Sequence, residues 1–277
     1  MKIKIEELNR NLIKIQKGRI KLINLNKAKE EFEKYVKPYG RENVKICRKI
    51  EHSYRVLDVA EEIAKSLDLS EEDLELAKLI GLLHDIGRFE QIRIYNTFVD
   101  KDSIDHADLG VKILFEDNLI RKFIEDDKYD EIIYKAIKSH NKYAIENGLN
   151  QQELLHAKII RDADKVDIYE VYIRDIASNE NAVFNYDNIS NEKITGKVLE
   201  SVKKHELVNR YDTVNEADRY VAALAFVFDL NFKKGIELVK ERKYIEKLIN
   251  RVKTENNKVE MEVIERNILE YFKEKNI

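Results

Sequence analysis

The stretch from Leu79 to Arg88 combines an apolar run with a histidine and an aspartate, His84 and Asp85, that follow each other directly. A buried helix that ends in two polar residues must supply them with partners, because an unpaired buried charge costs on the order of several kcal/mol. A metal ion is a partner that uses imidazole and carboxylate together. Adjacent helical residues project roughly 100° apart, so this pair can straddle such a site.

Four further side chains could join this site although they lie far apart in the sequence: His52, His106, His140 and Asp164. A single histidine on an apolar helix face is more often a hydrogen-bonded core residue than a ligand. Here, however, four of the six histidines lie on apolar stripes or at the ends of helices that would pack together. This shared placement favours a metal centre.

The choice between two neighbouring aspartates cannot be made from periodicity. Asp162 lies on the apolar stripe that includes Ile159, whereas Asp164 lies on the stripe that includes Ile160. Both carboxylates therefore stay candidates on the residues alone. His156 is a poor candidate beside Asp164, because eight helical residues separate the two by roughly 12 Å.

The elements that must position these residues are helices. The 277 residues include only eight glycines and one proline, so the residues that end helices and build hairpins are scarce and the chain is predicted to be all-α. One helix is predicted at 42–67, and another from the N-cap Ser70 to Asp85. Gly87 is expected to end the second helix. Residues 88–98 are then expected to form an irregular connection that lines a pocket.

We expect a single helical domain over 1–277, because the sequence shows no internal repeat and no linker. It would comprise an N-terminal arm at 1–40, a metal-binding core at 41–176 and a helical extension at 177–277 that packs on the core. The formal net charge is −3, and the sequence contains no long run of charges of one sign. No large basic surface is implied, which argues against a nucleic-acid partner. No apolar stretch has the length of a signal peptide or a membrane span, so a cytoplasmic location is expected.

The ordered set His52, His84-Asp85 and Asp164 resembles the pattern of the HD superfamily of metal-dependent phosphohydrolases. The flanking sequences also match, namely His-Ser-Tyr-Arg-Val, Leu-Leu-His-Asp-Ile-Gly and Asp-Ala-Asp-Lys-Val-Asp. The resemblance covers about residues 45–175. It implies an HD-domain helical bundle and selects Asp164 rather than Asp162 as the acidic ligand.

His106 and His140 resemble the additional ligands of HD proteins that hold two metals, which include cyclic-dinucleotide phosphodiesterases. The chain departs from that subgroup because Asn141 replaces a second histidine, Arg88 replaces a common lysine, and a Gly-Tyr-Pro signature is missing. The resemblance therefore implies a two-metal site, but the departures argue against cyclic-di-GMP as the substrate.

The implied site would activate a water molecule and clamp a phosphate ester between two ions. Imidazole and carboxylate ligands suit Mn, Fe, Co, Ni or Zn. Arg88 is the candidate for binding a phosphoryl oxygen through its planar guanidinium, with a structural salt bridge as the alternative role. One ion is assigned to His52, His84, Asp85 and Asp164, and the second to Asp85 as a bridge, His106 and His140.

The leading hypothesis is a metal-dependent phosphohydrolase or phosphodiesterase that acts on a small phosphorylated metabolite of the nucleotide class. One alternative is a mononuclear nucleotidase of the same superfamily in which His106 and His140 contact the substrate. A second is a regulatory module that binds a nucleotide without turnover. A third is a helical scaffold in which the histidines are core residues.

Overall fold

The computed structural model describes residues 23–178 and 183–277, and within these ranges the chain is helical and contains no β-strand. The predicted all-α fold is therefore confirmed. Residues 1–22, which form more than half of the predicted N-terminal arm, lie outside the described residues. Within the described ranges, no helix combines the length and apolarity needed to cross a bilayer.

The α-helices follow one another with short connections, some of which are 3₁₀ turns. In chain order they are α1 (Leu25–Val36), α2 (Val44–Ser66), α3 (Glu71–Leu83), α4 (Gly87–Tyr95), α5 (His106–Val111), α6 (Ile120–Phe123), α7 (Asp130–Ser139), α8 (Gln151–Ser178), α9 (Tyr186–Asn191), α10 (Gly196–Lys203), α11 (Glu216–Leu224), α12 (Lys233–Glu241), α13 (Tyr244–Val252) and α14 (Lys258–Glu274). A π turn, Lys112–Glu116, extends α5.

The centre of the bundle is formed by α2, α3, α7 and α8. Helix α2 packs against α3 on one side and α8 on another, and α7 also packs against α8. Helix α2 is buried on two faces, because Ile50 and Leu57 lie on one apolar stripe and Val56 and Ile63 on the other. Helices α12 and α13 of the C-terminal extension pack against α8.

Local sequence explains where α3 begins, but not how it ends. Ser70 caps α3 as predicted, since its hydroxyl accepts a hydrogen bond from the amide of Asp73. The prediction that Gly87 ends this helix in an irregular connection is wrong, because Gly87 begins α4. The left-handed residue that ends α4 is Asn96, with a φ of 54°.

Gly87 is required for a close approach between α4 and α5. A Cβ atom at this position would lie 2.6 Å from the amide nitrogen of Gly110, and closer still to the carbonyl oxygen of His106. Such distances are sterically impossible for an alanine without movement of the backbone. Gly87 therefore lets the start of α4 lie directly against the helix that carries His106 and Gly110.

Candidate metal centre

The structure brings all six predicted ligands into one cluster at the middle of the bundle. Five helices contribute to it: α2, α5 and α8 carry one residue each, and two residues follow α3 and one follows α7. Their ligand atoms form overlapping groups in which all atoms lie within 4.8 Å of one another. The cluster comprises His52, His84, Asp85, His106, His140 and Asp164.

The carboxylate of Asp85 lies between two pairs of histidines. Its Oδ2 atom is 3.5 Å from Nε2 of His52 and 3.7 Å from Nε2 of His84. Its Oδ1 atom is 3.4 Å from Nε2 of His106 and 3.8 Å from Nε2 of His140. Each carboxylate oxygen therefore faces a different pair of imidazoles.

Asp164 faces the same cluster, whereas Asp162 does not. The Oδ1 atom of Asp164 lies 3.2 Å from Nε2 of His52. Asp162 instead accepts hydrogen bonds from the amides of Asn231 and Phe232, at 2.9 and 2.8 Å, just before α12 begins. Residues two apart on a helix project about 200° apart, which explains why only one of the two carboxylates reaches the cluster.

The four histidines of the cluster are all oriented by a hydrogen bond on the far side of the ring. Each Nδ1 atom donates to an oxygen within 2.8 Å. Such a bond fixes the tautomer with the proton on Nδ1 and leaves a lone pair on Nε2. The four pairs are His52 with Asp167 Oδ2, His84 with the Gly81 carbonyl, His106 with Asp100 Oδ2 and His140 with the Ile137 carbonyl.

The inward-facing Nε2 atoms fit a bound cation. The Nε2 atoms of His52 and His84 are 3.2 Å apart, and those of His106 and His140 are 3.0 Å apart. Two lone pairs at such distances repel each other unless a positive charge lies near both. Imidazole nitrogens with carboxylate oxygens are the donor set that divalent transition metals prefer.

The directions in which the pKa values of His140 and Asp85 are shifted suit the same chemistry. Burial lowers the pKa of His140 to about 3, and the neighbouring His106 and His84 act in the same direction. Burial acts to raise the pKa of Asp85, but the charges of Lys49 and then His84 outweigh it and hold that pKa well below its usual range. A neutral imidazole and an ionised carboxylate are the forms that bind metal ions.

Three side chains that the sequence reasoning missed also belong to the site. The ammonium of Lys49 lies 2.6 Å from Oδ2 of Asp85, and Asp100 and Asp167 hold the rings of His106 and His52. Spacing could have suggested two of them. Lys49 is three residues before His52, and Asp167 is three residues after Asp164, so each shares a helix face with a predicted ligand.

Arg88 makes structural contacts through one end of its guanidinium and places the other end beside Asp85. Its Nη1 atom donates to the carbonyl oxygen of Phe98 at 2.7 Å and to Asp100 at 2.8 Å, so the guanidinium is anchored structurally. Its Nε atom is buried, lies 3.5 Å from Oδ1 of Asp85 and makes no hydrogen bond to any described residue. The Nε–H group thus faces the Asp85 carboxylate without a hydrogen bond.

The cluster opens into a cavity of about 910 Å³. Among the described residues that line it, seven carry a positive charge and four are carboxylates. Of the connection at 88–98, only Arg88 lines the cavity, whereas the extension contributes Phe226 and the segment Leu207–Tyr211. Part of the cavity wall therefore comes from the C-terminal third of the chain.

Residues 50–169 match the family model described as HD domain, and this range contains all six residues of the cluster. No curated protein and no solved structure matches the chain. The family and the grouped histidines and aspartates together indicate that the chain binds divalent metal. Residues 50–169 are thus similar to the HD domain, the same family that the ordered histidines and aspartates of the sequence resemble.

Proposed function

We propose that this protein is a two-metal phosphohydrolase that cleaves a phosphate ester of a small, nucleotide-like metabolite. The observation that carries the proposal is the position of Asp85 between two histidine pairs. Its Oδ2 atom faces His52 and His84, and its Oδ1 atom faces His106 and His140. A carboxylate with this arrangement is suited to bridge two ions.

In this proposal the ligands divide into two sets that share one residue. When bound, the two ions would supply a nucleophile by lowering the pKa of water and would stabilise the charge on the phosphoryl oxygens. Asp100 and Asp167 would keep two of the imidazole rings in the ligating orientation. The first set is His52, His84, Asp85 and Asp164, and the second is Asp85, His106 and His140.

Two cationic side chains next to Asp85 would bind the phosphoryl group. The Nε–H group of Arg88 faces Oδ1 of Asp85 without a hydrogen bond, and the ammonium of Lys49 lies 2.6 Å from Oδ2 of the same carboxylate. Both cations also lie near the ring of Phe98, at 5.7 and 5.4 Å from its centroid. These contacts limit the movement of the two side chains, and a pre-positioned donor stabilises developing charge at less cost than a flexible one.

The cavity supports a nucleotide-like substrate. Its lining has an excess of positive side chains even before a metal ion is counted, which suits an anionic ligand. Two tyrosines at the cavity, Tyr143 and Tyr211, are 61% and 80% exposed, and Phe226, which also lines the cavity, is half-buried. Exposed aromatic rings are surfaces on which a nucleobase can stack.

Metal analysis combined with a substrate panel tests the proposal. The purified chain, reconstituted with Mn, Co or Ni, is expected to hold two ions and to hydrolyse an aryl phosphate ester and at least one nucleotide. The panel should include nucleoside mono-, di-, tri- and cyclic phosphates. Asp85→Ala is expected to lose both ions and all hydrolysis. One ion per chain after reconstitution would contradict the two-metal proposal.

His140→Ala separates this proposal from a mononuclear nucleotidase. If His140 binds the second ion, the variant holds one ion, whereas a substrate-binding role leaves the metal content unchanged. A wild-type chain that binds a nucleotide tightly and releases no product would instead identify a regulatory module.

A further inference from the structure

One buried arginine donates hydrogen bonds to the backbone of the turn that carries His140. Arg161, on α8, is 2% exposed. Its Nη1 atom donates to the carbonyl oxygens of Ser139 at 3.1 Å, His140 at 3.4 Å and Lys142 at 2.6 Å. Its Nη2 atom donates to the carbonyl oxygen of Tyr143 at 3.3 Å. One guanidinium thus binds four of the five carbonyls in the segment from Ser139 to Tyr143.

This arginine pairs with a carboxylate outside the HD-domain match, Asp229, which also pairs with Lys165. Nη2 of Arg161 lies 2.7 Å from Oδ2 of Asp229. A buried guanidinium without a counter-charge would be strongly destabilising, so Asp229 is needed to keep Arg161 in place. Asp229 ends the 3₁₀ turn Ala225–Asp229 in the C-terminal extension, well beyond residue 169, where the match ends.

The segment that contains Asp229 is itself fixed to α8. Asp162, the neighbour of Arg161, accepts hydrogen bonds from the amides of Asn231 and Phe232. The side chain of Asn231 also donates to Asp162, at 2.9 Å. Two consecutive residues of α8, Arg161 and Asp162, therefore bind the extension. Arg161 also binds the turn that carries His140.

The orientation of His140 depends on this turn. The hydrogen bond from its Nδ1 atom to the Ile137 carbonyl sets the ring relative to the end of α7. The path of the backbone at and after His140 is set by Arg161. Among the six residues of the cluster, His140 is the one whose carbonyl accepts a hydrogen bond from Arg161.

We infer that Arg161, supported by Asp229, is a positioning residue for the second metal ion and that the C-terminal extension thereby becomes part of the metal centre. The inference rests on the two-metal function proposed above. It follows that damage to this connection weakens binding of the ion held by His106 and His140. Binding of the ion held by His52, His84 and Asp164 is left intact.

The test is a titration of the purified 277-residue chain with Co²⁺, followed by absorption spectroscopy and elemental analysis. Arg161→Met is expected to bind the first ion as the wild type does and the second about 10–100-fold more weakly, the usual effect of losing a residue that orients a ligand. Excess Co²⁺ should restore the second spectral component. Arg174→Met, an exposed arginine of the same helix that pairs with Glu170, is the matched control and should bind both ions normally.

The possible results separate the inference from the proposed function. A wild-type chain that binds one ion overturns the two-metal centre and the inference with it. If the wild type binds two ions and Arg161→Met binds both of them as tightly as the wild type does, the inference is overturned and the two-metal centre is not. If circular dichroism shows that Arg161→Met has less helix than the wild type, the same titration is carried out on Asp229→Asn. This variant keeps the side-chain shape and removes the counter-charge of Arg161. The same selective weakening is expected, and unchanged binding of both ions overturns the inference.

Discussion

The Nδ1 atom of His52 donates a hydrogen bond to Oδ2 of Asp167 over 2.6 Å. The same carboxylate accepts two hydrogen bonds from Arg55, at 2.7 and 3.0 Å. Burial acts to raise the pKa of Asp167, but the bonds from His52 and Arg55 outweigh it and keep the carboxyl ionised. This arrangement makes the Nε2 lone pair of His52 more basic and directs it into the cluster.

Asp167→Asn is expected to weaken metal binding about 10–100-fold, because a neutral amide accepts the imidazole proton less strongly than a carboxylate. The measurement is a metal titration against a competing chelator. Asp58→Asn is the matched control, since Asp58 is exposed on the helix that carries His52. Equal affinities for the wild type and Asp167→Asn would show that the hydrogen bond has no part in ligation.

Arg88→Met is expected to lower kcat/KM by about 10²–10³, the usual loss when one donor to a developing charge is removed. The number of bound ions should stay the same, because Arg88 is not among the six residues of the cluster. Steady-state kinetics and elemental analysis on the same preparation measure the two effects. Arg93→Met serves as the control, since Arg93 is an exposed residue of α4 that pairs with Glu90. Loss of metal in Arg88→Met with unchanged turnover per ion would contradict a role in phosphoryl binding.

Gly87→Ala is expected to destabilise the protein by about 1–3 kcal/mol, the usual cost of overpacking a closely packed contact. The added Cβ would collide with the backbone of His106 and Gly110. Urea unfolding measures the effect, and Gly196→Ala is the control, because a Cβ at Gly196 meets no atom within 4 Å. Similar unfolding midpoints for the two variants would show that α4 and α5 separate easily.

His156 is expected to make the folded state sensitive to acid. Burial lowers its pKa below the ordinary value of 6.5, and the neighbouring Asp73 opposes this only in part. The unfolded chain therefore binds the proton more readily than the folded chain. The contribution of neutral His156 to stability is complete above about pH 6.5 and is lost progressively as the pH falls below it.

Urea unfolding of the wild type and of His156→Gln, with a chelator present, tests this expectation. The wild type should lose more stability than the variant between about pH 7.5 and 5, because only the wild type has the buried imidazole to protonate. Glutamine can still donate a hydrogen bond to Asp73, so the comparison isolates the titration. Parallel pH curves for the two proteins would contradict the expected role of His156.

The helices and the candidate ligands could be predicted from the sequence because their signals are local. The spacing of apolar residues predicted both buried faces of α2, and Ser70 predicted the start of α3. The start of α4 at Gly87 could not be predicted in this way. Its glycine is required by the backbone of α5, and a contact between two helices leaves no mark in the local pattern.

The sequence by itself determined that the chain is all-α and that its central part resembles an HD domain, because turn-forming residues are scarce and the His and Asp residues occur in a characteristic order. Only the tertiary structure decided that each Asp85 oxygen faces a different histidine pair and that Arg161 joins Asp229 to the His140 turn. The physical reason is that these relationships depend on how helices far apart in the sequence pack together. Hydrophobic patterning fixes which face of a helix is buried, but not which polar atoms meet there.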